Sequence, residues 1–288
     1  MPNQHRILLA TDGSPSAQAA LATAARFPWP PASRAQAVVA RSRWLPAFSE
    51  QARAAEEESF KVVADEARRA LARRWPAAKV VFRDEPPGDA ILAEATRFKA
   101  SLIVLGWRGH GTFRRLLAGS VSRSVASRAQ CPVLVVREPA KAVRRFVVGF
   151  DGCPNSERAL EFLCSLAPGR GNCVVLVNVV RPLDTPASVG RLPRSLRASI
   201  VQQVVALNDE ERRQAEAAVV AGATRLERAG WTAKGEVRPG APLAGLLEAV
   251  AEHRADVLML GARAPPAGWS TCCSAASRTG RWTARPFL

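Results

Sequence analysis

Short, uninterrupted apolar runs punctuate the first half of this chain. Ile7–Ala10, Ala35–Ala40, Lys79–Phe82, Leu102–Leu105 and Val133–Val136 each predict a β-strand buried on both faces. Between them lie segments with helical periodicity: Ser16–Arg26, Ser49–Trp75, Asp89–Lys99 and Ser120–Ala129. Breakers separate these elements, among them Pro28-Trp29-Pro30-Pro31, Pro76 and Pro86-Pro87-Gly88. Ser14 is placed to cap the first helix, with Pro15 tolerated in its first turn. Buried strands alternating with helices predict a parallel α/β sheet covered on both sides.

The pattern occurs twice. Arg6-Ile7-Leu8-Leu9-Ala10-Thr11-Asp12-Gly13 matches Arg145-Phe146-Val147-Val148-Gly149-Phe150-Asp151-Gly152, an offset of 139 residues from Asp12 to Asp151. The helix and strand that end at Gly106 match those that end at Gly261, at an offset of 155. The extra residues are assigned to a Pro-rich loop insertion from Arg181 to Leu196. The predicted architecture is two tandem doubly wound domains, residues 1–138 and 144–263, followed by an aberrant tail, 264–288. About five strands per copy are too few for an eight-stranded barrel.

The sharpest candidate for chemistry is Gly106-Trp107-Arg108-Gly109, followed after nine residues by Gly119-Ser120. Gly106 ends a buried strand and Ser120 opens a helix, the place where open α/β sheets bind ligands. Glycines admit close approach of a phosphate, and the helix start offers unpaired N–H groups and a positive dipole end. Ser120 adds a hydroxyl, and Arg108, Arg114 and Arg115 add charge. Asp12, at the end of the first strand, is expected to face the same ligand beside Ala10 and Thr11, where its carboxylate could accept from ribose or an adenine amino group. Two plainer readings stand beside these. Asp12-Gly13-Ser14 also suits an Asx-turn that opens the next helix, and Gly-Ser also suits an ordinary helix entry. His110 could touch a phosphate or simply be solvated.

Composition narrows the function classes. The chain has 288 residues, 48% of them hydrophobic, so two packed cores are affordable. Its net charge of +16 invites a nucleic-acid reading. However, only five of the 41 basic residues are lysines, and the arginines are scattered, not gathered into an aromatic-interleaved stripe. Specific nucleic-acid binding is therefore not the expectation. The six cysteines form no C-x-x-C pair, and Cys131, Cys164 and Cys173, which sit beside apolar residues, are expected to be reduced core thiols. No apolar run approaches the roughly 20 residues of a membrane span, and no signal pattern opens the chain, so a cytoplasmic protein is expected. There is no Gly-x4-Gly-Lys-(Ser/Thr) loop, no Gly-x-Gly-x-x-Gly after the first strand, and no catalytic set converging on the loop.

The chain resembles the universal stress protein family, as a tandem member with an incomplete second domain. The family's loop, Gly-x2-Gly-x9-Gly-(Ser/Thr), fits Gly106, Gly109, Gly119 and Ser120 without a gap. Ala10-Thr11-Asp12-Gly13-Ser14 and Cys131-Pro132-Val133-Leu134-Val135-Val136 look like its first and last strands. The resemblance implies a Rossmann-like, adenine nucleotide alpha hydrolase-like fold of five strands per domain, and ATP with or without Mg2+ as ligand. It implies contacts from Ala10, Thr11, Asp12, Arg41, Gly106, Gly109, Gly119, Ser120 and Val121. Arg41 stands where the family usually has valine, which Val179 keeps in the second copy. The resemblance also implies domain pairing through the last strand, as a homodimer or within one chain. The functional expectation is an ATP-binding regulator of stress response, with at most slow hydrolysis. The competing expectation is a nucleotide-free adaptor that acts through dimerisation.

The second copy breaks its pattern after Gly261. From Ala264 onward neither a helix-opening Gly-Ser nor a final apolar strand is expected. Back-translated with GC-rich codons and read from the third base, the stretch from Ala267 gives a Gly-Ser-Val at the loop spacing of copy one. This predicts a shifted reading frame, which the gene's DNA would decide. A divergent C-terminus is the alternative.

Overall fold

The computed structural model describes residues 4–40, 50–107, 119–262 and 274–277. The first copy runs β1 (Arg6–Ala10), α1 (Pro15–Ala25), β2 (Arg34–Ala40), α2 (Glu50–Ala72), β3 (Lys79–Arg83), α3 (Pro87–Phe98), β4 (Leu102–Gly106), α4 (Ser120–Arg128) and β5 (Val133–Val136). The second runs β6 (Arg145–Gly149), α5 (Pro154–Cys164), β7 (Cys173–Val180), a 3-10 turn (Ala187–Arg191), α6 (Arg194–Arg228), β8 (Thr232–Pro239), α7 (Pro242–Glu252) and β9 (Val257–Leu260), and β10 (Ser274–Ser277) follows.

The strands lie in the order β3-β2-β1-β4-β5-β10-β9-β6-β7-β8. Within copy one every pairing is parallel, and the order reverses direction between β1 and β4. Copy two repeats this as β8-β7-β6-β9. Ile7, Leu8 and Leu9 are all buried, so both faces of β1 are covered, as the apolar run predicts. Leu9 packs with α1 and α2, whereas Leu8 packs with α3 and α4. The α1 face toward the sheet is built from Ala17, Ala20, Leu21 and Ala24. These small side chains let the helix sit close.

Three boundaries depart from the sequence reading. α3 begins at Pro87 with Pro86 as its cap residue, because proline's missing N–H costs nothing in a first turn. α6 begins at Arg194, so the inserted loop is shorter than Arg181–Leu196, and part of it is a 3-10 turn. Among the described residues the second copy lacks its own last strand, as expected, but the tail contributes a short strand that its sequence pattern does not announce. Ser274–Ser277 pairs parallel with β5 and antiparallel with β9. Copy two still has no parallel fifth strand among the described residues. Its place is taken by a strand running the other way, one backbone ladder satisfying two sheet edges.

The copies share a core. Phe27 meets Phe146 edge-on at 5.7 Å between ring centres, and Phe146 meets Trp231 at 5.1 Å. His5 lies 5.5 Å from both Trp29 and Phe162. Backbone bonds cross the same boundary, Ala167 N–H to Pro28 O at 2.9 Å among them.

Candidate functional site

β1 pairs with β4 so that Leu9 sits opposite Val104. The carboxyl ends of the two strands, Asp12 and Gly106, therefore lie side by side where the strand order reverses. This is the crevice of an open α/β sheet. Thr11 is buried, its N–H bonded to Val38 O at 3.0 Å, while Asp12 is exposed at the mouth. Asp12 Oδ1 accepts from Ser14 N–H at 3.0 Å, and Gly13 takes φ of 78°, so the Asx-turn reading of this segment is realised. Ser14 Oγ then accepts from Ala17 N–H at 3.3 Å and caps α1. The turn fixes the backbone and leaves the carboxylate at the crevice.

Gly106 is required by a close approach. A Cβ there would lie 2.3 Å from Ser16 Oγ and 2.6 Å from Ser16 C. Gly261 stands in the same relation to Asn155, at 2.5 Å from its carbonyl carbon. Both copies thus dock the first turn of the first helix onto the end of the fourth strand.

Beyond Gly106 the chain is pinned at both ends of the loop. Trp107 N–H bonds Val136 O at 2.7 Å, and Arg137 lies over the Trp107 ring at 5.0 Å. Gly119 N–H closes the far end on Trp107 O at 2.9 Å. Buried Ser122 donates within reach of both Trp107 O (3.2 Å) and Gly119 O (2.9 Å). Sequence reading missed Ser122; its only signal was a serine in the first helical turn. Arg41 and Gly109, expected in the site, lie outside the described residues, as do Arg108, His110, Arg114 and Arg115. Ala10, Thr11, Asp12, Gly106, Gly119, Ser120 and Val121 are brought to the same end of the sheet.

The start of α4 suits an anion. Its cap residue, Gly119, has no side chain to bond the first turn, in contrast to Ser14 on α1. Its first intrahelical bond runs from Arg123 N–H to Gly119 O at 3.1 Å, which leaves the N–H groups of Ser120, Val121 and Ser122 without intrahelical partners. The Gly119 N–H is already committed to Trp107, so the donors on offer shift one residue along the helix. A cavity of about 380 Å³ also adjoins Thr11, lined by Gln18, Leu21, Val63, Glu66 and Arg69 from α1 and α2.

In copy two, Asp151 occupies Asp12's place. Burial pushes its carboxyl upward, but hydrogen bonds from Ser156 Oγ (2.7 Å) and Cys153 N–H (3.1 Å) outweigh this and hold it below the usual range. The loop that should follow Gly261 lies outside the described residues from Arg263.

Two successive segments, residues 4–137 and 142–268, match the model of the universal stress protein family. The chain belongs to the universal stress protein family. A universal stress protein of Mycobacterium tuberculosis is 37% identical over 102 residues, 33% of this chain and 32% of that one. The matches to such curated relatives thus span about a third of their length. A universal stress protein from Archaeoglobus fulgidus is similar in structure over 96% of this chain and 98% of its own, at TM-score 0.62 and 16% identity, a likeness of fold. A universal stress protein solved in complex with cAMP is similar over 47% of this chain and 99% of its own, at TM-score 0.37 and 25% identity.

Proposed function

We propose that this universal stress protein is a nucleotide-binding regulator of the stress response, acting in the cytoplasm, with ATP held by its first copy. The carrying observation is the glycine-opened start of α4 at Gly119–Val121, set beside Asp12 at the reversal of strand order. The N–H groups of Ser120, Val121 and Ser122 would take the phosphates, with the Ser120 hydroxyl beside them. Asp12 would take the ribose or the adenine amino group. Gly106 would keep the floor of the crevice low. These residues fit a nucleotide because the helix start supplies donors and the strand end supplies an acceptor. The proposed division is 1–138, 144–263 and a tail of 264–288, and the second copy is assigned weak or no nucleotide binding.

Calorimetric titration with ATP, with and without Mg2+, tests the reading. The parent should bind one equivalent per chain. Gly119→Val places a branched side chain at the phosphate approach and should weaken binding at least about 10-fold, which corresponds to 1.4 kcal/mol. Equal affinity in parent and variant would remove the assignment. No binding by the folded parent would favour the nucleotide-free adaptor.

A further inference from the structure

The cavity of about 380 Å³ beside Thr11 lies between α1 and α2, and side chains fill the same place in copy two. Three contacts establish that the places are equivalent. Thr11 N–H bonds Val38 O at 3.0 Å, and Phe150 N–H bonds Val177 O at 2.9 Å. Gly13 abuts Val63 of α2, and Gly152 abuts Ala218 of α6. Thr11, Gln18 and Leu21 therefore correspond to Phe150, Glu157 and Leu160, at the offset of 139 residues. Ala67 and Ala70 correspond to Gly222 and Arg225, at the offset of 155.

In copy two Phe150 is buried with its ring against Gly222, where an added Cβ would meet ring carbons at 3.2 and 3.4 Å. Arg225 bonds Glu157 and ties α5 to α6 over the same place. Copy one has none of these fittings. Thr11 is too short to fill the space, and its Oγ1 turns to accept from Gly13 N–H at 3.2 Å. Gln18 and Ala70 cannot form the ion pair. Leu21 and Ala67 are buried, so the floor is apolar, while Gln18 and Ala70 are exposed and mark the mouth. Half-buried Glu66 is the acidic residue of the described lining. It accepts from Gln18 Nε2 at 3.1 Å and has no cationic partner among the described residues. Arg69 is exposed and donates Nε to Asp65 O at 3.3 Å.

We infer that this cavity is a binding site for a small aromatic amine, with the ring where copy two keeps the Phe150 ring and the ammonium group beside Glu66. The size suits such a ligand. An apolar cavity of about 150 Å³ already admits a benzene ring, and small-molecule sites begin at roughly 300 Å³. A bound ring would restore from outside the apolar contacts that copy two makes with its own chain. The half-buried carboxylate favours a cation over a neutral ring, because a charge-assisted hydrogen bond is stronger than a neutral one. The site shares Thr11 with the candidate nucleotide crevice but does not rest on that reading.

Calorimetric titration of the full chain with tryptamine tests the site. The parent should bind it with a dissociation constant on the order of 0.1 to 1 mM. Indole, the same ring without the amine, should bind about 5-fold or more weakly. Gln18→Glu with Ala70→Arg transplants the ion pair of copy two to the mouth. It should weaken tryptamine at least about 10-fold while leaving the circular dichroism unchanged. Glu66→Gln should weaken tryptamine about 5-fold or more and leave indole as it was, a difference that a loosened fold would not make. Saturating ATP should not displace tryptamine. A folded parent that takes up no tryptamine at about 10 mM overturns the proposal. So does binding indifferent to the transplanted ion pair, or displacement by ATP, which would put the amine in the nucleotide crevice. Indole bound as tightly as tryptamine overturns it too, since Glu66 would then select nothing.

Discussion

At the residue scale, Gly106 shows how a position can serve packing and ligand approach together. The sequence marks it as a loop glycine at a strand end, with phosphate as the reason. The structure adds a second reason, the 2.3–2.7 Å contacts that a Cβ would make with Ser16. Those contacts involve backbone atoms of α1, which cannot swing aside as a side-chain tip can. Gly106→Ala should therefore destabilise the fold by about 1–3 kcal/mol, read as a lower urea midpoint at unchanged m-value. An unchanged midpoint would mean that α1 yields freely. Asp12 was legible as a candidate because it follows an apolar run and precedes glycine, and its turn reading is the one the structure realises. It opens the helix through Ser14 N–H and still stands exposed at the crevice. Ser122 and the Arg137–Trp107 stack were not legible, since each depends on which distant strand end lies beside the loop.

At the scale of elements, strand identity was most readable for β4 and β5, where burial on both faces leaves no polar position in a short run. Helix ends were less readable, since proline marks both an interruption and a permitted first turn, as at Pro86-Pro87. The packing between copies was not readable at all. Pro28-Trp29-Pro30-Pro31 reads as a breaker, yet Trp29 is buried and stacks on Phe27 at 5.1 Å. His5 closes that contact. Its Nδ1 lies 3.2 Å from Ser101 Oγ in copy one, and its Nε2 lies 3.0 Å from Ser165 Oγ at the end of α5. Burial pushes the imidazole below its ordinary value of 6.5, partly offset by the bond to the Ser165 carbonyl. The unfolded chain therefore takes up this proton more readily than the folded one. The stability tied to neutral His5 is fully present above pH 6.5 and is lost as the pH falls below it. Denaturant midpoints measured between about pH 7.5 and about pH 5.5, above most carboxylate titration, should fall on acidification. His5→Phe should flatten that fall; an equal slope in the variant would place its cause elsewhere.

At the scale of the whole molecule, the repeat was legible because each copy carries its own strand, Asp-Gly turn and helix. The junction was not, because it depends on a tail without pattern. β10 joins the two halves into one sheet by pairing with β5 on one side and β9 on the other. Its sequence, Ser274-Ala275-Ala276-Ser277, gives no apolar run that would announce a strand. What places it is demand from its neighbours, two apolar strands whose outer N–H and C=O groups would otherwise lack partners. Removing residues 264–288 should therefore expose the edges of β5 and β9 together. The shortened chain should associate through its bare edges more than the full-length chain does, as a new dimer or as larger species in sedimentation velocity. A proline at Val135, which removes a ladder N–H, should reduce that association. If the shortened chain stayed as monomeric as its full-length counterpart, β10 would not be what covers these edges, and the tail would have no part in holding the two copies together.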